Sequence, residues 1–267
     1  MRSFAAGEIS GEEQCERVSK RILFSAALPR PGIPKMRAVT FQSGLERVIG
    51  FLASANETGR QRAVIAIHEW WGLTDWVREQ AANLAANGYI VLAVDLYRGK
   101  VTANSGEARR LRRGLRQDRA IRDLKAAFDY LTRRPDVDPA RISSMGWSMG
   151  GGFALQLSIH QPRLAACVVN YGPLPTEPAD IKKINARVLG IFGSLDRGIP
   201  PHKVRAFEKG MSDAKKTVDI KIYDGVGHAF ESPANKRGYR PEAAADAWLR
   251  TLTFLDQAEG SKSPTIL

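Results

Sequence analysis

The sequence predicts a single α/β domain: a mostly parallel sheet of about eight strands covered by helices on both faces. Three observations lead there. Apolar runs of strand length, such as Ala63–His68 and Ile90–Asp95, lack the in–out alternation of a half-exposed sheet and suit strands buried on both sides. Longer stretches of helical periodicity separate these runs, and strand alternating with helix is how a parallel sheet becomes covered. The segment Gly146-Trp147-Ser148-Met149-Gly150 then joins an apolar run, Arg141–Gly146, to a small-residue helical stretch, Met149–Gln161, with almost nothing between them.

Taken in order, the first two strands are Arg37–Phe41 and Arg47–Ala53, separated by Gln42-Ser43-Gly44-Leu45, and they read as an antiparallel hairpin at the sheet edge. Ala63–His68 and Ile90–Asp95 follow, flanking a helix over Asp75–Asn87 that Thr74 can cap and Asn87-Gly88 can stop. One long helix is predicted over Gly106–Arg133. Strands Arg141–Gly146, Ala166–Tyr171, Val188–Phe192 and Val218–Tyr223 complete the sheet, with helices over Met149–Gln161, Pro201–Met211 and Pro241–Gln257. Residues 1–35 end in the breaker-rich Pro29-Arg30-Pro31-Gly32-Ile33-Pro34 and are set apart as an extension; 36–258 form the domain, and 259–267 a Gly/Ser/Pro-rich flexible tail.

Composition excludes several classes. The hydrophobic fraction of 43% and charged fraction of 25% are those of a globular chain, and no apolar stretch approaches bilayer-spanning length. Cys15 and Cys167 form neither a disulfide framework nor a metal-binding spacing, which makes a reducing cytoplasm the expected setting. The net charge of +12 concentrates between Arg98 and Lys125, where ten Lys/Arg face three acids. Such a run is ordinarily a solvated helix face; steering of anionic substrates and binding of polyanions are the alternatives. No aromatic interleaving marks a specific nucleic-acid surface.

The chemistry is carried by Ser148. In a strand–turn–helix context, Gly-x-Ser-x-Gly holds the serine on a strained turn, exposed at a helix N-terminus whose amides can hold a developing negative charge. Its hydroxyl needs a base, and the base needs a carboxylate to fix its tautomer. Of four histidines, His228 lies in a loop directly after the last strand, whereas His160 sits late in a helix, His202 begins one, and His68 precedes the serine. Asp196 follows the strand Val188–Phe192, and the order Ser148, Asp196, His228 is that of the α/β-hydrolase triad. Asp224 is the rival acid, placed to shape its own loop. The oxyanion hole needs two amides, expected from Met149 and from Trp70 in His68-Glu69-Trp70-Trp71-Gly72. Trp70 and Trp71 also suit plain packing, and Glu69 is suited to tuning the nucleophile, orienting water or pairing with a buried arginine.

Over residues 38 to 257 the chain resembles the dienelactone hydrolase family of α/β-hydrolases. The resemblance rests on His68-Glu69-Trp70-Trp71-Gly72, Gly88-Tyr89 leading into Val94-Asp95-Leu96-Tyr97, the Ser148 turn, Gly193-x-x-Asp196 and Gly227-His228-Ala229-Phe230. It implies a compact hydrolase without a large cap domain, and the expected Ser–His–Asp chemistry calls for no metal or organic cofactor. Two positions depart from the family. Its nucleophile is a cysteine where this chain has Ser148, and its substrate-gripping arginine, four residues after the histidine, is here Ser232. Arg98 is left as a candidate replacement cation. The expectation is a serine carboxylesterase of small or short-chain esters, monomeric or homodimeric, with hydrolysis of carboxylate-bearing lactones as the alternative.

Overall fold

The computed structural model describes residues 34–55 and 59–260. Eight strands form one sheet in the order β1-β2-β4-β3-β5-β6-β7-β8: β1 Lys35–Ser43, β2 Glu46–Ser54, β3 Gln61–Ile67, β4 Tyr89–Val94, β5 Val137–Trp147, β6 Ala166–Asn170, β7 Arg187–Gly193 and β8 Val218–Tyr223. The first two make the expected antiparallel hairpin, and β2 runs antiparallel to β4. Every pairing from β4 through β3 to β8 is parallel.

The uninterrupted apolar runs are explained by two separate cores. Ile65 and Ile67 of β3 join one cluster, while Val64 and Ala66 join the other; β4 divides in the same way. Alternate side chains point to opposite faces of a strand, so both faces are dry. Helices α1 Asp75–Ala86 and α7 Pro241–Gly260 cover one face. The other is covered by α3 Gln117–Thr132, α4 Met149–His160, α5 Pro178–Lys183 and α6 Pro201–Asp213.

Several expected boundaries move. The single helix over Gly106–Arg133 is two: α2 Ser105–Gly114 and α3, broken where Leu115 and Arg116 are extended. Gly114 is a poor helix former, and the break lets Leu115 turn into the core at 4% exposure. α2 is capped by Asn104, whose side chain accepts the Glu107 N–H at 3.0 Å. Thr74 stands at the N-cap of α1 but makes no capping hydrogen bond with its side chain. α7 continues through Glu259 and Gly260, two residues expected in the flexible tail; the first helix breaker after Pro241 is Gly260 itself. The extension through residue 33 and the tail after Gly260 lie outside the described residues, as does Cys15. Among the described residues no helix is long and apolar enough to cross a membrane.

The connection from β6 to β7 holds only the six-residue α5, and among the described residues no cap covers the carboxyl ends of the strands. In an open parallel sheet that end is where ligands bind. Loops after β3, β5, β6, β7 and β8 converge there.

Candidate active site

Ser148 sits between the last residue of β5 and the first of α4, with φ 51° and ψ −116°. A positive φ on a residue with a Cβ costs on the order of 1–3 kcal/mol and persists only where the surroundings enforce it. Here they do. A Cβ on Gly146 would come within 2.1 Å of the Gly150 carbonyl oxygen, and one on Gly150 within 2.1 Å of the Ile67 carbonyl oxygen. Only glycine at both positions lets α4 start against β5 and against the end of β3. The Ser148 N–H is tied to the Asn170 carbonyl at 2.9 Å, which fixes the turn to β6.

The Ser148 hydroxyl lies 2.8 Å from His228 Nε2, and His228 Nδ1 lies 2.6 Å from Asp196 Oδ2. Asp196 is 3% exposed, and its other oxygen accepts the N–H groups of Gly198 and Ile199 at 2.8 and 3.1 Å. Burial pushes its pKa up; the His228 hydrogen bond and charge, with the two amides, outweigh that and leave it lowered. The aspartate is therefore held as an anion with one oxygen committed to the backbone and the other to the imidazole. Asn235 donates to the carbonyls of His228 and Ala229 at 3.0 and 3.2 Å, shaping the histidine loop. The Tyr171 ring stands edge-on to the imidazole at 5.2 Å.

Asp224 makes no contact with this relay: its Oδ1 accepts the Ser194 hydroxyl at 3.0 Å, while Ser194 Oγ accepts the Gly225 N–H at 2.9 Å. His68 is fully buried, accepting from Leu96 N–H on Nε2 at 3.1 Å and donating from Nδ1 to the Glu69 carbonyl at 2.6 Å. Burial lowers its pKa and those bonds suit the neutral ring. His160 bonds its own helix, and His202 is exposed at the start of α6.

The remaining candidates fall in different places. Met149 is the first residue of α4, whose first-turn amides lack intrahelical acceptors. Trp70 lies in the turn after β3 and is packed against the core on the α3–α6 side of the sheet, with the Trp71 ring against it at 4.8 Å. Glu69 is 5% exposed; burial raises its pKa to about 7, against the opposing charge of His228. Arg98 does not stand free for a substrate. Its guanidinium bonds Glu46 at 2.7 Å and the fully buried Asp123 at 2.8 Å, pinning the loop after β4 to the hairpin and α3. Those partners are 52 and 25 residues away in sequence, which is why the charge alone suggested a free cation.

Three neighbours were not singled out from the sequence. Tyr171, with φ 39°, is buried against His228. Glu231 turns inward to accept the Trp147 indole N–H at 3.1 Å. Arg112 rests over the Phe153 ring at 5.7 Å, and its charge reaches the Tyr97 hydroxyl, which touches the Met149 sulfur at 3.2 Å. Glutamate after His228-Ala229-Phe230 was a readable signal, since a charge in an otherwise apolar loop invites a partner. A cavity of about 700 Å³ between the hairpin and α3 contains none of Ser148, Asp196 and His228. A smaller groove of about 300 Å³, lined by Pro173, Leu174, Ile199, Phe207 and Lys203, flanks the Asp196 loop. The hydrogen-bonded relay, not cavity size, marks the chemistry.

The sequence profile of the dienelactone hydrolase family matches residues 48–259. The chain belongs to that family. This dienelactone hydrolase family member is 30% identical over 262 residues to a protein of Saccharolobus solfataricus provisionally named carboxymethylenebutenolidase, covering 82% of this chain and 97% of that one. A Bradyrhizobium protein provisionally named 2-oxo-3-(5-oxofuran-2-ylidene)propanoate lactonase is 29% identical, with 79% and 89% covered. The structure is also similar to the dienelactone hydrolase of Anabaena variabilis, with TM-score 0.64 and 25% identity over 84% of this chain and 98% of that one. The α/β-hydrolase fold and the hydrolase class expected from the sequence both stand.

Proposed function

We propose that this hydrolase cleaves small carboxylic esters through a covalent acyl-enzyme on Ser148. The observation that carries the reading is the continuous relay from Ser148 Oγ through His228 to Asp196, at 2.8 and 2.6 Å. His228 Nε2 takes the hydroxyl proton as Ser148 attacks the ester carbonyl carbon, and Asp196 holds the imidazolium that results. The N–H groups of Met149 and Trp70 receive the oxyanion. His228 returns its proton to the leaving alcohol; water, deprotonated by the same histidine, then releases the acid and frees Ser148. The strained φ of Ser148 supports this role, because such strain is retained where it serves a site.

A second reading, hydrolysis of small lactones bearing a carboxylate, is favoured by the names of the two relatives. The same steps open a lactone ring, except that the leaving alcohol stays attached to the acyl group. Ser232 is buried at 4% exposure and offers no cation, and Arg98 is occupied by carboxylates. Open esters therefore come first. The test is a p-nitrophenyl ester series from acetate to octanoate beside a carboxylate-bearing lactone, with Ser148→Ala as control. Ser148-dependent turnover of short neutral esters supports the first reading; turnover confined to the lactone transfers the function to the second.

A further inference from the structure

Glu231 lies three residues beyond His228 and sends its carboxyl back into the protein, where Oε2 accepts the Trp147 indole N–H at 3.1 Å. Trp147 is fully buried, ends β5 and immediately precedes Ser148. One interior hydrogen bond thus joins the loop that carries the histidine to the strand that carries the serine. Between residues 145–152 and 225–240, the other side-chain hydrogen bond is that of Ser148 with His228 itself.

A carboxyl is a costly acceptor for a single indole. Its second oxygen, Oε1, is buried with no partner among the described residues, as is the Tyr171 hydroxyl, whose ring abuts His228. No ion pair serves Glu231 among the described residues; the ionisable groups near it are Glu69 from the loop after β3 and Tyr171 from the loop after β6. Burial raises its pKa to about 8, Glu69 adds to that, and the Trp147 bond opposes it. At neutral pH the group is mainly an uncharged acid, able to accept from Trp147 without bringing a second negative charge beside Glu69.

Resting on the Ser148 mechanism above, we propose that Glu231 is a positioning residue: through Trp147 it holds the histidine loop in register with the nucleophile turn, so that His228 Nε2 stays within reach of the Ser148 hydroxyl. Its lever is short. The indole and Ser148 belong to adjacent residues, and the acceptor sits on the loop of the base. Loss of the bond lets the two segments drift independently, and a misplacement near 1 Å costs on the order of 10²-fold in rate.

The experiment compares Glu231→Leu, Glu231→Gln, Trp147→Phe and the double variant Trp147→Phe/Glu231→Leu. Glu231→Leu is expected to lower kcat roughly 10- to 100-fold with KM little changed. Glu231→Gln, whose amide oxygen can accept the same N–H, should recover to within about threefold of wild type. Trp147→Phe keeps a ring and removes the donor; it should fall as Glu231→Leu does, and the double variant should fall no further than the worse single. Should Glu231→Leu fail to fold, Trp147→Phe carries the comparison. Variants with a lowered Tm and unchanged kcat would overturn the proposal, leaving the bond a matter of packing. So would Glu231→Gln as impaired as Glu231→Leu. The low-field proton resonance of His228 Nδ1 reads the register without substrate: it should broaden in Glu231→Leu and stay sharp in Glu231→Gln. That readout survives even if Ser148 proves inactive on every ester, which separates failure of the proposal from failure of the mechanism.

Discussion

Asp196→Asn is the substitution whose consequence the geometry defines most narrowly. Asp196 Oδ1 accepts two backbone N–H groups, from Gly198 and Ile199. Only an oxygen can do that, so the asparagine amide oxygen must occupy the Oδ1 position and the NH₂ must face His228 Nδ1, now 2.6 Å from Oδ2. The reverse rotamer would leave two donors opposed to a third in a site 3% exposed, at about 1–3 kcal/mol for each unsatisfied group. Facing an NH₂, the imidazole must carry its proton on Nε2, the nitrogen that has to receive the Ser148 proton. The imidazolium also loses its counter-charge. In serine-protease triads the equivalent change lowers kcat by about 10⁴-fold, or roughly 5 kcal/mol of transition-state stabilisation. The same size of loss is expected here on p-nitrophenyl acetate, with a cooperative unfolding transition retained. An Asp196→Asn enzyme within tenfold of wild-type kcat would refute the assignment of Asp196 and the tautomer argument together.

Three further outcomes follow from the same geometry. Asp224→Asn should leave kcat within about threefold of wild type, because Asp224 engages Ser194 and not the imidazole; a loss comparable to that of Asp196→Asn would exchange their roles. Gly150→Ala should destabilise the fold by roughly 2–3 kcal/mol or more in urea denaturation and abolish activity, since its Cβ would meet two backbone oxygens, of Ile67 and His68, which cannot swing aside. Glu231 keeps its proton in the folded state to about pH 8, whereas the unfolded group ionises near 4.5, so this group's own contribution to stability is full below pH 4.5 and is lost as pH rises through 8. Tm of wild type should therefore fall more between pH 5 and 9 than Tm of Glu231→Gln, and parallel curves would show that the buried carboxyl does not hold its proton.

How much of this was readable beforehand differs from residue to residue. β3 and β4 were legible because both faces of each strand are dry, which writes burial into every position but Arg62 and not alternate ones. Ser148, Asp196 and His228 were legible as a set because they follow the carboxyl ends of β5, β7 and β8 in that chain order, so their order carries geometric information. Arg98 was not: its sign was visible, but Glu46 and Asp123, which hold it, come from other elements. The break between α2 and α3 was hidden in a run whose charges look equally solvated on one helix or two; Leu115 decides it by turning inward. α5 is six residues long, too short for a helical period to register. Glu231 was visible as a charge in an apolar loop, but the direction it faces is set by the Trp147 indole, 84 residues upstream.

The most direct measurement is covalent trapping of the nucleophile. Wild type is incubated with a fluorophosphonate ester, and the modified residue is located by peptide mass spectrometry. One adduct per chain on Ser148, lost in Ser148→Ala and strongly slowed in Asp196→Asn, is the predicted result. A stable, folded enzyme that hydrolyses esters while Ser148 stays unmodified, or that carries the adduct elsewhere, would contradict the central claim.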